Sequence, residues 1–297
     1  MKLRIGTRRS RLALAQAEEV AEALRRNGVD TELVPLQTAG DRGAGPQASP
    51  NGIKGLWVND IVRALREGEV DLAVHSAKDL PAADEDGAVV AAVPERASPL
   101  DVLVTRVGEL THGARVGTSS LRRRAQVLRW RPDVTVAELR GNVDTRLAKL
   151  ERGEVDGLVL AAAGLLRLGI VPAHASPMSV AEMVPAPGQG CLAVQARPGD
   201  TAVRETVAGL DHADSRTALE AERRLMALLG GGCALPLGAY ARVEVDGVRL
   251  TTVVLSADGE RMAQADVRAD TSAVAAERAA ARLLAEGAEE ILAEVRS

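Results

Sequence analysis

The pattern of apolar and polar positions divides the chain into three stretches. In the first, Leu3 to Thr7 reads as a buried strand. Ser10 can cap a helix running to about Asn27, with Leu14, Ala17, Val20 and Leu24 on one face and Gly28 as its stop. Glu32 to Gln37 reads as a second strand, a helix spans about Leu56 to Glu67, and Asp71 to His75 makes a third strand. Ala39 to Gly52 holds four glycines and two prolines without periodicity, which predicts a mobile loop. Alternation of strand and helix implies a parallel sheet with helices on both faces.

The same rhythm restarts after Pro94. Val102 to Thr105, Arg115 to Gly117, Val134 to Glu138 and Leu158 to Ala161 read as strands, with helices over about Ser120 to Trp130 and Asn142 to Arg152. Pro185 to Gly190 marks a boundary, and the strand Cys191 to Gln195 is expected to cross back into the first unit. From about Asp211 the texture changes. A helix reaches Leu229, Gly230-Gly231-Gly232 breaks it, and turns at Asp246-Gly247 and Asp258-Gly259 punctuate alternating strands before a final Ala-rich helix. The expected organisation is residues 1–94 completed by 189–209, then 95–188, then a small α+β unit over 210–297 with a sheet of about three antiparallel strands.

Composition narrows the function classes. With 46% apolar and 26% charged residues the chain is an ordinary soluble sequence, and no run approaches the roughly 20 apolar residues of a membrane span. Met1 leads into Lys2-Leu3-Arg4 without a long apolar stretch, so a secretory signal is not expected and a cytoplasmic location is. Two cysteines, Cys191 and Cys233, exclude a disulfide scaffold, and four scattered histidines leave a metal centre unexpected. Walker A, G-x-S-x-G and H-E-x-x-H motifs are absent. Only Trp57, Trp130 and Tyr240 are aromatic, too few for a groove that stacks single-stranded bases.

Charge changes the picture by where it sits. The net charge is -4, yet eight arginines stand against three acids between Arg115 and Arg146. Small hydroxyls and fixed cations gather at three strand ends: Gly6 to Ser10, His75 to Pro81, and Gly117 to Arg123. Open parallel sheets bind ligands at such ends, and this chemistry suits carboxylates or phosphates. Each cluster also has a plainer reading. Thr118-Ser119-Ser120 is a sufficient N-cap, Arg122 and Arg123 a sufficient solvated helix face, His75 a hydrogen-bonded strand end, and Gly230 to Gly232 a helix stop before an inert thiol. Together they favour a cleft for a multiply anionic ligand.

The motifs carry a resemblance. Arg4 to Arg8, Val74 to Pro81, Val116 to Arg123, Leu139 to Arg146, Pro187 to Gly190 and Gly231 to Cys233, in that order, resemble the porphobilinogen deaminase (hydroxymethylbilane synthase) family along essentially the whole chain. The resemblance implies two α/β domains of the periplasmic-binding-protein type around a cleft, plus the small α+β domain. It implies a transferase that joins four porphobilinogens into hydroxymethylbilane with release of ammonia, on a dipyrromethane cofactor thioether-linked to Cys233. Lys78, Thr118, Ser119, Ser120, Arg122 and Arg123 would hold cofactor carboxylates. Arg8, Ser10, Arg140, Arg146, Arg167 and Gln189 would surround substrate and growing chain, with Lys54 and Trp57 on a lid. Asp79, read as the sole well-placed acid among these cations, would stabilise the azafulvenium-like cation and move protons. Partners would be porphobilinogen and the oligopyrrole chain, with neither nucleic acid nor membrane, and a monomer is expected.

Three positions depart from the family pattern: Arg11 stands where Pro is common, Pro50 where a second loop lysine is common, and Gln195 where a Glu is common. A two-lobed binding or sensing protein for small anions is the alternative from another class. It would need neither the third domain nor its cysteine.

Overall fold

Strand β1 (Lys2–Arg8) is buried through Ile5, Gly6 and Thr7, and helix α1 (Arg11–Arg26) follows at once because Ser10 caps it, its Oγ accepting from the Ala13 N–H at 3.3 Å. Gln16, Ala17, Val20, Ala21 and Leu24 form its buried face, and Gly28 turns the chain at φ +78°. The structure, a computed structural model, describes residues 2–38, 52–82, 87–231 and 235–296, without the side chains of 52–57 and 296. The loop expected over Ala39 to Gly52 falls almost wholly outside the described residues, as do the side chains of Lys54 and Trp57, and Cys233 itself.

After β2 (Asp30–Leu36) come α2 (Gly52–Arg66), β3 (Leu72–Ser76), a single 3₁₀ turn at Ala77–Asp79 and β4 (Val89–Ala92). The second unit runs β5 (Asp101–Thr105), β6 (Arg115–Gly117), α3 (Leu121–Trp130), β7 (Thr135–Ala137), α4 (Val143–Glu151), β8 (Gly157–Ala161), α5 (Ala162–Arg167) and β9 (Ala175–Pro177). Strand β10 (Leu192–Ala196) then returns to the first sheet, as the sequence predicts. The two five-stranded sheets have the orders β2-β1-β3-β10-β4 and β7-β6-β8-β5-β9, which are the same plan. In each, four strands share one direction and the strand that follows a crossing, β10 or β5, pairs antiparallel with both neighbours. The sheets are therefore mixed: β1, β2 and β3 run parallel as the first rhythm implies, and the strand from each crossing runs against its neighbours. The strand from each crossing enters its sheet from the far end and cannot run with the others.

The two crossings lie against each other. Gly190, at φ +91°, sits so close to the first crossing that a Cβ there would meet the Ala97 carbonyl at 2.3 Å. Helix α6 (Thr201–Ala208) completes the first lobe, with Val203 and Val207 in the core of its sheet, and the third unit contains α7 (Ala213–Leu228), an antiparallel sheet of β11 (Leu237–Glu244), β12 (Gly247–Leu255) and β13 (Met262–Ala269), and the helices α8 (Ser272–Ala285) and α9 (Ala288–Arg296). Its core joins Leu225, Leu250, Val267 and Leu283. The Ala-rich segment is two helices rather than one, because Gly287 takes φ +86° between them. Among the described residues no helix is long and apolar enough to cross a membrane.

Candidate functional site

The centre of the site is a buried carboxylate. Ser120 caps α3, its Oγ accepting from Arg123 N at 3.4 Å, and Thr118 Oγ1 accepts from Ser120 N at 3.1 Å. That start turns the next two side chains inward, and both Arg122 (3% exposed) and Arg123 (7%) are buried. They converge on Asp101, the first residue of β5. Arg122 Nη1 lies 2.7 Å from Oδ2, and Arg123 donates from Nε at 3.0 Å and Nη2 at 2.7 Å to Oδ1. Burial alone would raise the Asp101 pKa, but the two guanidiniums outweigh it and hold the carboxyl well below the usual carboxylate range.

Charge in this cluster is unbalanced. Arg146, at the foot of α4, donates to the Gly141 carbonyl at 2.8 Å and to Ser119 Oγ at 3.5 Å. Its pKa is brought down to about 10, first by desolvation and then by the neighbouring Arg123. Three guanidiniums thus stand near one carboxylate among the described residues. Arg122 Nε is fully buried without a hydrogen-bond partner among them. Buried positive charge without a counter-charge is costly, so this arrangement suits an anion.

Gln189 links the cluster to the first lobe. Its Nε2 donates to the Pro99 carbonyl at 2.7 Å and to Asp101 Oδ1 at 3.1 Å, leaving Oε1 buried and without a partner among the described residues. One residue earlier, Gly188 at φ +72° is packed on the Ala77-Lys78 peptide, 2.9 Å from where its Cβ would stand. Lys78 and Asp79 form the 3₁₀ turn at the end of β3, both partly exposed. Helix α7 ends at the same turn's far side: Arg223 Nη2 donates to the Pro81 carbonyl at 3.0 Å, and a Cβ on Gly231 would lie 3.1 Å from Ala82. The described chain stops at Gly231, two residues short of Cys233.

The remaining expected residues are placed less uniformly. Arg8 ends β1, while the Ser10 hydroxyl is engaged as the α1 cap. Arg140 is exposed and bound to Glu138 at 2.6 Å. Arg167 sits on the seam between the lobes: its side chain is only 6% exposed, bonded to Glu19 of α1 at 2.7 Å and to the Gly190 carbonyl at 3.2 Å. Arg11, at the position where the family commonly has Pro, reaches across the same seam to Asp144 at 2.9 Å. Ser119 is exposed and its Oγ accepts a long contact from Arg146.

Two acids escaped the sequence reading. Asp101 corrects the expectation that Asp79 is the sole acid among the cations; the only signal was an acid opening an otherwise apolar strand. Glu222 is fully buried on α7 and accepts from Arg96 Nη1 at 2.7 Å, Gly188 N at 2.6 Å and Ala241 N at 2.7 Å, so it joins both crossings to β11. Cys191 is buried, as expected for a core thiol, and burial pushes its pKa up to about 12.

Comparison with known proteins accords with this geometry. Residues 3–205 match the family model described as porphobilinogen deaminase, dipyromethane cofactor binding domain, and residues 217–291 match porphobilinogen deaminase, C-terminal domain. The chain belongs to the porphobilinogen deaminase family. It is similar to the porphobilinogen deaminase of Thermus thermophilus (44% identical, covering 98% of each chain) and to that of Desulforudis audaxviator (45%, covering 99% of this chain and 97% of the relative). Among solved structures it is similar to a periplasmic substrate-binding protein of an ABC transporter from Coxiella burnetii, at 15% identity and a TM-score of 0.42, covering 70% of this chain and 91% of that one.

A dipyrromethane cofactor of this family carries several carboxylates, and the cluster fits such a group. Arg122 and Arg123 are buried with one counter-charge between them, and an unused Arg122 N–H and an unused Gln189 carbonyl oxygen remain as donor and acceptor.

Proposed function

We propose that this member of the porphobilinogen deaminase family condenses four porphobilinogens head to tail into hydroxymethylbilane, releasing ammonia, with residues dividing the work as follows. Arg122, Arg123 and Lys78 hold cofactor carboxylates, with Thr118, Ser119 and Ser120 assisting and Cys233 as the attachment point. When bound, the dipyrromethane group supplies a free pyrrole α-carbon as nucleophile and a covalent anchor. Arg8, Ser10, Arg140, Arg146, Arg167 and Gln189 serve the incoming substrate and the growing chain. The enzyme is read as a cytoplasmic monomer built from 1–94 with 189–209, 95–188 and 210–297.

The observation that carries this reading is the buried guanidinium excess beside the acid-bearing turn. Cations suited to carboxylates disfavour the positive charge that develops on substrate as ammonia departs. A negative group must therefore stand at the reacting ring, and Asp79 fills that role. Each condensation breaks one C–N bond and forms one C–C bond, and the attacking carbon loses a proton that Asp79 can accept; release of the tetrapyrrole would break the C–C bond to the anchor and take up one water, the source of the hydroxymethyl oxygen. Support for Cys233 comes from chain reach: a Cβ on Gly231 would lie 3.1 Å from Ala82, three residues from Asp79, and two further residues span at most about 7 Å.

Asp79→Asn tests the reading, because it keeps shape and removes charge. It should fold and bind porphobilinogen yet turn over at least about a hundredfold more slowly, the lower end of what acid–base catalysis contributes. Asp79→Glu should retain more activity than Asp79→Asn. Wild-type turnover in Asp79→Asn would return Asp79 to a structural partner of Lys78.

A further inference from the structure

We propose that Asp101 is a positioning residue of the cofactor site, presetting the guanidiniums of Arg122 and Arg123 and the amide of Gln189 for an anionic ligand. This rests on the reading that the two arginines hold cofactor carboxylates. Adjacent residues on a helix point about 100° apart, so neighbouring arginines do not converge unaided, and their like charges repel. Here each oxygen of one carboxylate takes one arginine: Oδ2 lies against Arg122 Nη1 and Oδ1 accepts from Arg123 Nε and Nη2. Arg122 Nη1 is held from a second direction by the Val184 carbonyl at 2.7 Å. Oδ1 also accepts from Gln189 Nε2, which fixes the amide so that Oε1 remains the free acceptor.

A purely structural ion pair would balance its charges. This one leaves a surplus, with the Arg122 Nε unbonded among the described residues, so Asp101 orients the pair without neutralising it. It opens β5, directly after the first crossing, while Gln189 lies on the second. The carboxylate therefore fixes the arginines relative to both connections between the lobes.

The test is loading of the full-length, adduct-free chain with porphobilinogen, followed by intact mass, for Asp101→Glu, Asp101→Asn, Arg122→Leu and Arg123→Leu. Asp101→Glu keeps the charge but displaces the carboxylate by one methylene. Its half-saturating porphobilinogen concentration should rise at least about tenfold, as expected for disturbed charge-assisted hydrogen bonds. Its limiting loading rate should stay within about threefold of wild type and its melting midpoint within a few degrees. A merely structural residue would move the midpoint and leave half-saturation alone. Asp101→Asn should shift half-saturation in the same direction. Wild-type half-saturation in Asp101→Glu, with Arg122→Leu impaired, would overturn the positioning role while the arginine reading stands. Normal loading in both arginine variants would instead overturn that reading, and this inference with it. Failure of both Asp101 variants to fold would also overturn it, making Asp101 a scaffold residue.

Discussion

His75 shows how one buried residue ties stability to the site. It lies in β3 at 6% exposure, four residues before Asp79, and Gln195 is its diagonal neighbour on β10, on the same face of the sheet. Burial lowers its pKa to about 4, although the Asp79 charge and the neighbouring Gln195 side chain both pull it upward. The unfolded chain binds this proton near pH 6.5. Between about pH 6.5 and 4 the unfolded state therefore holds more protons, and stability must fall as pH falls through that window. The loss attributable to His75 is roughly 3 kcal/mol. His75→Gln should show a shallower pH dependence of denaturant stability over that range, and identical slopes would contradict the assignment. At this scale the sequence was informative about residue type and blind to pairing. The basic character of Arg122 and Arg123 was plain, whereas the acid between them lies 21 residues upstream of the first and only the sheet brings it there.

At the scale of elements, Glu222 is the most exacting contact. It joins α7 to Arg96 on the first crossing, to Gly188 on the second and to Ala241 on β11, entirely out of water. Burial alone would lower the Arg96 pKa, and the Glu222 charge more than reverses this. Breaking such a pair by removing one partner costs about 3–5 kcal/mol, because the other charge stays buried. Glu222→Gln should therefore lower the melting midpoint by on the order of 10 °C. The double variant Arg96→Met with Glu222→Leu should recover part of it. A midpoint unchanged in Glu222→Gln would show that the crossings hold without this carboxylate. The long elements were legible because their apolar period is unambiguous. Strands β4 and β9 and helices α5 and α6 were not, since three to eight residues give too little periodicity to separate a short element from a loop.

For the whole molecule, the repeated rhythm foretold two lobes of one plan and the returning strand β10. It did not foretell that each sheet is completed by a strand running against the rest, because direction is a property of the crossing and not of the strand's own residues. The lobes also meet through partners that sequence proximity cannot suggest. Arg11 and Asp144 are 133 positions apart, and Arg167 and Glu19 are 148. The third unit supports the site from behind: the β12–β13 turn places Gly259 against the Ala125 carbonyl of α3, the helix that carries Arg122 and Arg123. The same unit sets α7 beside the turn bearing Asp79, through Arg223 Nη2 and the Pro81 carbonyl. The central claim is that this assembly holds a bis-pyrrole on Cys233 within the cationic cleft. Intact mass of the purified chain, before and after porphobilinogen, tests it most directly. Wild type and Cys191→Ala should carry an adduct of two pyrrole units, extended stepwise by substrate, and Cys233→Ala should be unmodified and inactive. An unmodified wild-type chain that still turns over substrate, or an adduct surviving on Cys233→Ala, would contradict it.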